Sequence, residues 1–185
     1  PQSKEFVDYR GYAGRISSGI FRKGDQVAVL PSGFTSRIRS IDGPAGELEE
    51  AFAPMSVSIT LEDDIDISRG DMIVRANNQP EAVQDLEVML CWLNDKPAQP
   101  RAKYTIMHTS NEQKAMIKEV IYKIDIETLN RNGDDSELKM NDICKVKIRT
   151  TKPLMQDPYR ENRYTGSIIL IDDISNQTVA GRLIV

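Results

Sequence analysis

The chain has 185 residues, 39% hydrophobic and 28% charged, which suffices for one large or two small globular domains with a genuine core. Acidic residues outnumber basic ones 28 to 24, for a net charge of -4, so the overall field gives no help to a polyphosphate partner and argues against nucleic acid. A basic-then-apolar leader and an 18-residue apolar run are both missing from the sequence, and Cys91 and Cys144 are too few for a disulfide framework, so the cytosol is the expected compartment and a membrane is not expected.

Taken in chain order, the elements are strands separated by turns. Lys23-Gly24-Asp25, Pro31-Ser32-Gly33 and Asp42-Gly43-Pro44 have the residue chemistry of reversals. In Ser56-Val57-Ser58-Ile59-Thr60-Leu61 the apolar side chains fall on one face and the hydroxyls on the other, the pattern of a half-buried strand. Arg69-Gly70-Asp71 imitates a cell-adhesion tripeptide but reads as the turn feeding Met72-Ile73-Val74. A polar stretch, Asn77-Asn78-Gln79-Pro80, sets the expected domain boundary close to residue 82. Beyond it, Asn94-Asp95-Lys96-Pro97-Ala98-Gln99-Pro100 and the stretch from Thr128 to Lys139 read as surface connections. From Glu119 to Ile126 alternation predicts Val120, Tyr122, Ile124 and Ile126 on one face, opposite Glu119, Lys123 and Asp125, with Ile121 as a misfit. Cys144-Lys145-Val146-Lys147-Ile148-Arg149 alternates with cations outward, and the continuous run Ile168-Ile169-Leu170-Ile171 predicts a strand covered on both sides. The reading is all-β, with residues 1–82 and 83–185 each closing a small barrel.

Candidate chemistry is sparse. His108 is the only histidine, so no histidine cluster can bind a metal, and it reads as a structural strand residue. The cysteines lack C-x-x-C spacing and read as small buried hydrophobes. Glu62-Asp63-Asp64-Ile65-Asp66 lacks the glycine and terminal glutamate of a calcium loop and reads as a solvated turn. Asn176-Gln177-Thr178 matches a glycosylation acceptor, which a cytosolic chain would not use. Trp92, the sole tryptophan, reads first as a core residue and second as an interface anchor. Arg160, Arg163 and Tyr164 gather after Pro158 in an expected loop, where guanidinium groups suit anionic or carboxylate partners. These four residues are the candidate interface; no catalytic, cofactor-binding or metal residue is assigned.

Two sets of motifs carry a resemblance. Gly11-Tyr12-Ala13-Gly14-Arg15-Ile16-Ser17-Ser18-Gly19 with Phe21-Arg22-Lys23-Gly24-Asp25-Gln26-Val27, and Ala51-Phe52-Ala53-Pro54-Met55 through Arg69-Gly70-Asp71-Met72, resemble the second domain of translational GTPases related to elongation factor Tu. In the second half, Val88-Met89-Leu90-Cys91-Trp92-Leu93, Tyr104-Thr105-Ile106-Met107-His108, Leu138-Lys139-Met140-Asn141-Asp142-Ile143, Asp157-Pro158-Tyr159, Asn162-Arg163, Thr165-Gly166-Ser167 and Leu170 through Val179 resemble the GTPase subunit of bacterial sulfate adenylyltransferase. Translational factors tend to carry an Arg-acid pair and a glycine where this chain has Asp172-Asp173 and Asn176, and Gly181-Arg182-Leu183 departs from a more usual Ala-Gly-Met.

That resemblance implies two barrels like elongation factor Tu domains 2 and 3. It implies a preceding GTP- and Mg-binding domain, and a small catalytic subunit that joins ATP and sulfate into adenosine 5′-phosphosulfate and pyrophosphate while GTP hydrolysis drives the reaction. The phosphate-loop motif and Asn-Lys-x-Asp are not found in this sequence, so the expectation is an excised working part, inactive alone, with no cofactor of its own. The competing expectation is a tRNA-gripping pair of barrels, against which the net acidity and Asp172-Asp173 weigh.

Overall fold

The computed structural model describes residues 9–98 and 101–184, the last three as backbone only. The chain divides into two compact units, Pro1–Gln79 and Pro80–Val185, and among the described residues every regular element is a strand. The first unit holds β1 (Tyr12–Arg15), β2 (Ile20–Arg22), β3 (Gln26–Leu30), β4 (Thr35–Gly43), β5 (Gly46–Leu48), β6 (Glu50–Phe52), β7 (Ser56–Leu61) and β8 (Met72–Arg75). Its main ladder runs β1-β7-β4-β3-β8 with β5 added to β4, and β2 with β6 forms a separate ribbon. Val27, Val29, Ile38, Ile41, Val57, Ile59 and Leu61 fill its core.

The second unit holds β9 (Glu81–Trp92), β10 (Lys103–His108), β11 (Asn111–Ile124), β12 (Arg131–Asn132), β13 (Ile143–Gln156), β14 (Ser167–Asp172) and β15 (Thr178–Ile184). The ladder runs β10-β14-β15-β9-β13-β11, and β10 also pairs with β11, so six strands close into a ring with β12 appended to β11. All pairings are antiparallel. Closure gives each ring strand two partners and leaves no long edge. Leu86, Val88, Leu90 and Trp92 point inward from β9 against Cys144, Val146 and Ile148 from β13, the period-2 packing that the sequence carries.

Three sequence expectations change in the folded chain. Two register irregularities interrupt β11 against β13, between Ile117 and Glu119 and between Val120 and Tyr122. Each inserts an extra residue and turns the following side chains to the other face, so Ile121 is a bulge residue, Ile126 is exposed, and Lys123 is buried. The run in β14 is covered on one side only: Ile168 and Leu170 are buried while Ile169 and Ile171 are half-buried. In β7 the third hydroxyl, Thr60, is buried, because its Oγ1 meets Ser40 Oγ at 2.8 Å and accepts the Ser40 N–H at 3.1 Å on β4.

The stretch from Thr128 to Lys139 does more than connect. Leu138 is 1% exposed and packs into the core of the second unit. Its carbonyl accepts the Ala98 N–H at 3.1 Å, tying this segment to the β9–β10 connection, of which residues 99–100 lie outside the described set. The Trp92 N–H donates to the Asp142 carbonyl at 3.0 Å and the Asn141 N–H to the Trp92 carbonyl at 2.7 Å. The segment thus plugs one end of the ring. Replacing Leu138 with alanine removes that plug's apolar body and is expected to lower stability by about 2–5 kcal/mol, read as a drop in the urea midpoint with an unchanged slope.

Candidate functional site

The registers sort the connections of the second unit into two ends. One end carries the β9–β10 connection, the 125–142 segment and the β14–β15 turn; the other carries the β10–β11 turn and the loop from Asp157 to Gly166. Arg160, Arg163 and Tyr164 lie on that loop and are exposed. Trp92 does not join them. It is 2% exposed, its Nε1–H donates to the Lys96 carbonyl at 2.9 Å, and its ring meets Tyr104 edge-on at 5.9 Å between centroids. The interface role is corrected to a core role: the ring offers a partner no surface, because its apolar body gains more inside the plugged end.

The loop is built around buried polar groups. The Pro158 carbonyl accepts the N–H groups of Glu161 and Asn162 at 2.9 and 3.0 Å, forming a single helical turn. Asn162 is buried; its Nδ2 donates to Asp157 Oδ2 at 3.4 Å and its Oδ1 accepts the Tyr164 N–H at 3.1 Å. The Thr165 hydroxyl donates to the same Asp157 oxygen at 2.7 Å, and Ser167 Oγ donates to the Arg163 carbonyl at 2.6 Å. His108, 1% exposed, lies with Nε2 2.7 Å from the Thr165 carbonyl. A carbonyl only accepts, so the proton sits on Nε2 and the histidine acts as a buried clamp between β10 and the loop. Gly166 is demanded by close approach: a Cβ there would stand 2.3 Å from Tyr159 Cα and 2.7 Å from the Asn162 carbonyl oxygen.

On this rigid base the Arg163 guanidinium lies 6.0 Å over the Tyr159 ring, a cation–π contact that holds it outward. Among the described residues no carboxylate forms an ion pair with Arg160 or Arg163. The face therefore presents planar donors to solvent, suited to carboxylates or other oxyanions on a partner.

The remaining sequence candidates are structural. Cys144 is fully buried, and burial pushes its thiol up to about 12, with the Asp142 carboxylate adding to the effect; it is no nucleophile near neutral pH. In the Glu62–Asp66 turn, Asp64 and Asp66 pair with Arg10, Asp63 Oδ2 accepts from Ser36 Oγ at 2.8 Å, and Ile65 is buried. No group of three or more metal-ligating side chains forms among the described residues. Gly14-Arg15-Ile16-Ser17-Ser18-Gly19 has the glycine spacing of a phosphate loop, but Ile20 stands where lysine is needed and the segment links β1 to β2. That segment therefore lacks the cation with which a phosphate loop holds its ligand.

Sequence reasoning missed the charged cluster under the plug. Lys123 Nζ lies 2.7 Å from both Asp135 Oδ2 and Asp142 Oδ2. Desolvation alone would lower the lysine's pKa, but the two carboxylates outweigh it and the net direction is upward. Lys123 also holds Asp135 below the usual carboxylate range. Two aspartates at separate positions in a polar segment gave no spacing signal; the only clue was Ile121 breaking the alternation.

The family model described as GTP-eEF1A C-terminal domain-like matches residues 85–185. The chain belongs to this family. Over all 185 residues it is 46% identical to a protein of Mycobacterium tuberculosis named bifunctional enzyme CysN/CysC, of which it covers 30%. It is 42% identical to a Bacteroides thetaiotaomicron protein named sulfate adenylyltransferase subunit 1, matching 97% of this chain and 39% of that one. The chain thus spans 30% to 39% of the length of these relatives. Sup35 complexed with GDP has the same fold, with a TM-score of 0.85 at 17% identity over 95% of this chain and 45% of its own. Asn176, where translational factors tend to carry glycine, has φ +56°, a conformation asparagine tolerates better than most residues. Asp172 caps the same turn, accepting the Ile174 and Ser175 N–H groups at 3.1 and 2.7 Å, while Asp173 pairs with Lys114 at 2.7 Å. The side chain of Arg182 lies outside the described residues.

Substituting Gly166 with alanine is expected to destabilise the second unit by about 1–3 kcal/mol and to speed hydrogen exchange at the amides of Asn162 and Gly166. Gly133 is the matched control: its nearest Cβ neighbour would be Ile121 O at 3.6 Å, and the same change there should leave the loop's exchange unaltered.

Proposed function

We propose that this chain is the two-barrel, non-nucleotide-binding part of the GTP-dependent regulatory subunit of a sulfate adenylyltransferase. The observation that carries the reading is identity of 42–46% over 97–100% of the chain with proteins named CysN/CysC and sulfate adenylyltransferase subunit 1. In this reading the parent enzyme works in the cytosol on ATP and sulfate, giving adenosine 5′-phosphosulfate and pyrophosphate. GTP and Mg belong to a separate nucleotide-binding domain. The barrels serve as a rigid scaffold between that domain and the small catalytic subunit, receiving the movements that GTP hydrolysis drives. The closed ring and its plugged end support such a role, since a scaffold must transmit displacement without deforming.

The first test is co-elution of the chain with the small sulfate adenylyltransferase subunit from the same organism, with bulk tRNA as competing ligand. Retention of the subunit and not of tRNA is the expected result; retention of tRNA alone would replace this reading with a translational one. Arg160, Arg163 and Tyr164 form a candidate protein contact. If that loop is an interface, reversing both arginines to glutamate weakens co-purification of the assembled enzyme's subunits, and undiminished co-purification would remove the loop from the interface.

A further inference from the structure

The end of the second ring opposite the arginine loop displays an unusual set of apolar side chains. Leu93, Ile126, Leu129, Met140 and Ile174 lie on its three connections, with exposures from 45% at Leu93 to 93% at Ile174. Such large side chains gathered on one surface mark an interaction site more often than an ordinary exterior.

They are not held loosely. At the β11–β12 turn, the Leu129 N–H donates to the Asp125 carbonyl at 2.7 Å and the Asp125 N–H to the Asn130 carbonyl at 2.9 Å. Asp125 Oδ1 accepts the N–H groups of Glu127 and Thr128, both at 2.9 Å. Within this locked turn Leu129 has φ +59°, a region that a leucine rarely occupies. Ile126 and Leu129 are thus fixed toward solvent. Beneath them the Leu138 plug and the Lys123 cluster anchor the 125–142 segment.

Charge decides what can cover this surface. The connections 93–102, 125–142 and 173–177 at this end together carry eight carboxylates against four cations, Lys96, Arg101, Arg131 and Lys139. Lys139 pairs with Glu137 at 3.0 Å and the Arg131 guanidinium lies 4.9 Å over the Tyr122 ring. Glu127 and Asp134 are exposed and have no ion pair among the described residues. An acidic rim repels phosphate backbones, which disfavours nucleic acid, and it repels a second copy presenting the same face. The complementary occupant is a protein face with an apolar centre and basic rim.

We propose that this end of the second ring is the docking surface for the small catalytic subunit, through such an apolar, basic-rimmed face. The proposal rests on the reading above and adds to it the surface and the chemistry of the contact. The acidic rim sets orientation and encounter rate, and the apolar tips hold the bound state.

The test is calorimetric titration of the small catalytic subunit into the chain, at low and at raised sodium chloride. The variants are Ile126→Asp with Leu129→Asn, Glu127→Lys with Asp134→Lys, and Phe34→Asp as an exposed apolar control in the first unit. Asparagine at 129 suits the positive φ, and all the test positions lie outside the core, so far-ultraviolet circular dichroism should be unchanged. The expected result is at least tenfold weaker binding for the apolar pair, weaker binding with a flattened salt dependence for the charge-reversed pair, and unchanged binding for Phe34→Asp. Wild-type affinity in both paired variants would overturn the docking surface while leaving the functional reading intact. Failure of the subunit to bind the unmodified chain would overturn both.

Discussion

Ring closure in the second unit is the constraint on which its other features depend. β10 is the keystone, pairing with β11 on one side and β14 on the other. Once the ladder is circular, no strand can slide without breaking register with two neighbours, and its ends become fixed platforms. The connections at each end are then held by the strands that flank them. That is why the Asp157–Gly166 loop can use a buried histidine as a clamp, and why a leucine from a polar segment can seal the opposite opening.

The bulges in β11 show how a local irregularity generates chemistry elsewhere. Counted from inward-facing Val120, and without the irregularity at Ile121, Lys123 would point outward, as simple alternation predicts. With it the ammonium is turned inward, where burial opposes the charge and two aspartates are recruited to sustain it. Breaking one partner of such a cluster leaves an uncompensated charge, so the segment carrying Asp135 and Asp142 is fastened electrostatically as well as by Leu138. Packing and charge therefore both fasten the same eighteen-residue stretch.

Much of this was legible from alternation alone. Ser56–Leu61 and Cys144–Arg149 declare their inward faces, and the turns at Gly24, Gly33 and Gly70 fall between strands, each with positive φ. Legibility failed where tertiary context overrides period 2. Bulges shift phase without leaving a composition signal, so the inward lysine was hidden. Leu138 sits among polar residues and has no periodic neighbours to announce it. Trp92 reads first as a core residue in sequence and the arginine loop as an exposed one, and only strand direction shows them at opposite ends. The exposed tips at Ile126, Leu129 and Ile174 escaped because single apolar residues in turns resemble ordinary surface composition.

The two thiols illustrate what strand register settles beyond stability. Cys91 sits opposite Ile143 and Cys144 opposite Leu90, and facing residues share a side of the wall while successive residues alternate. Cys144 therefore looks inward and Cys91 outward, although they belong to neighbouring strands. An internal cross-link would need one strand to rotate about its own axis, which the circular ladder forbids. Air oxidation during purification would act through Cys91 and join one molecule to another, so a reducing agent belongs in every buffer in which oligomeric state is measured.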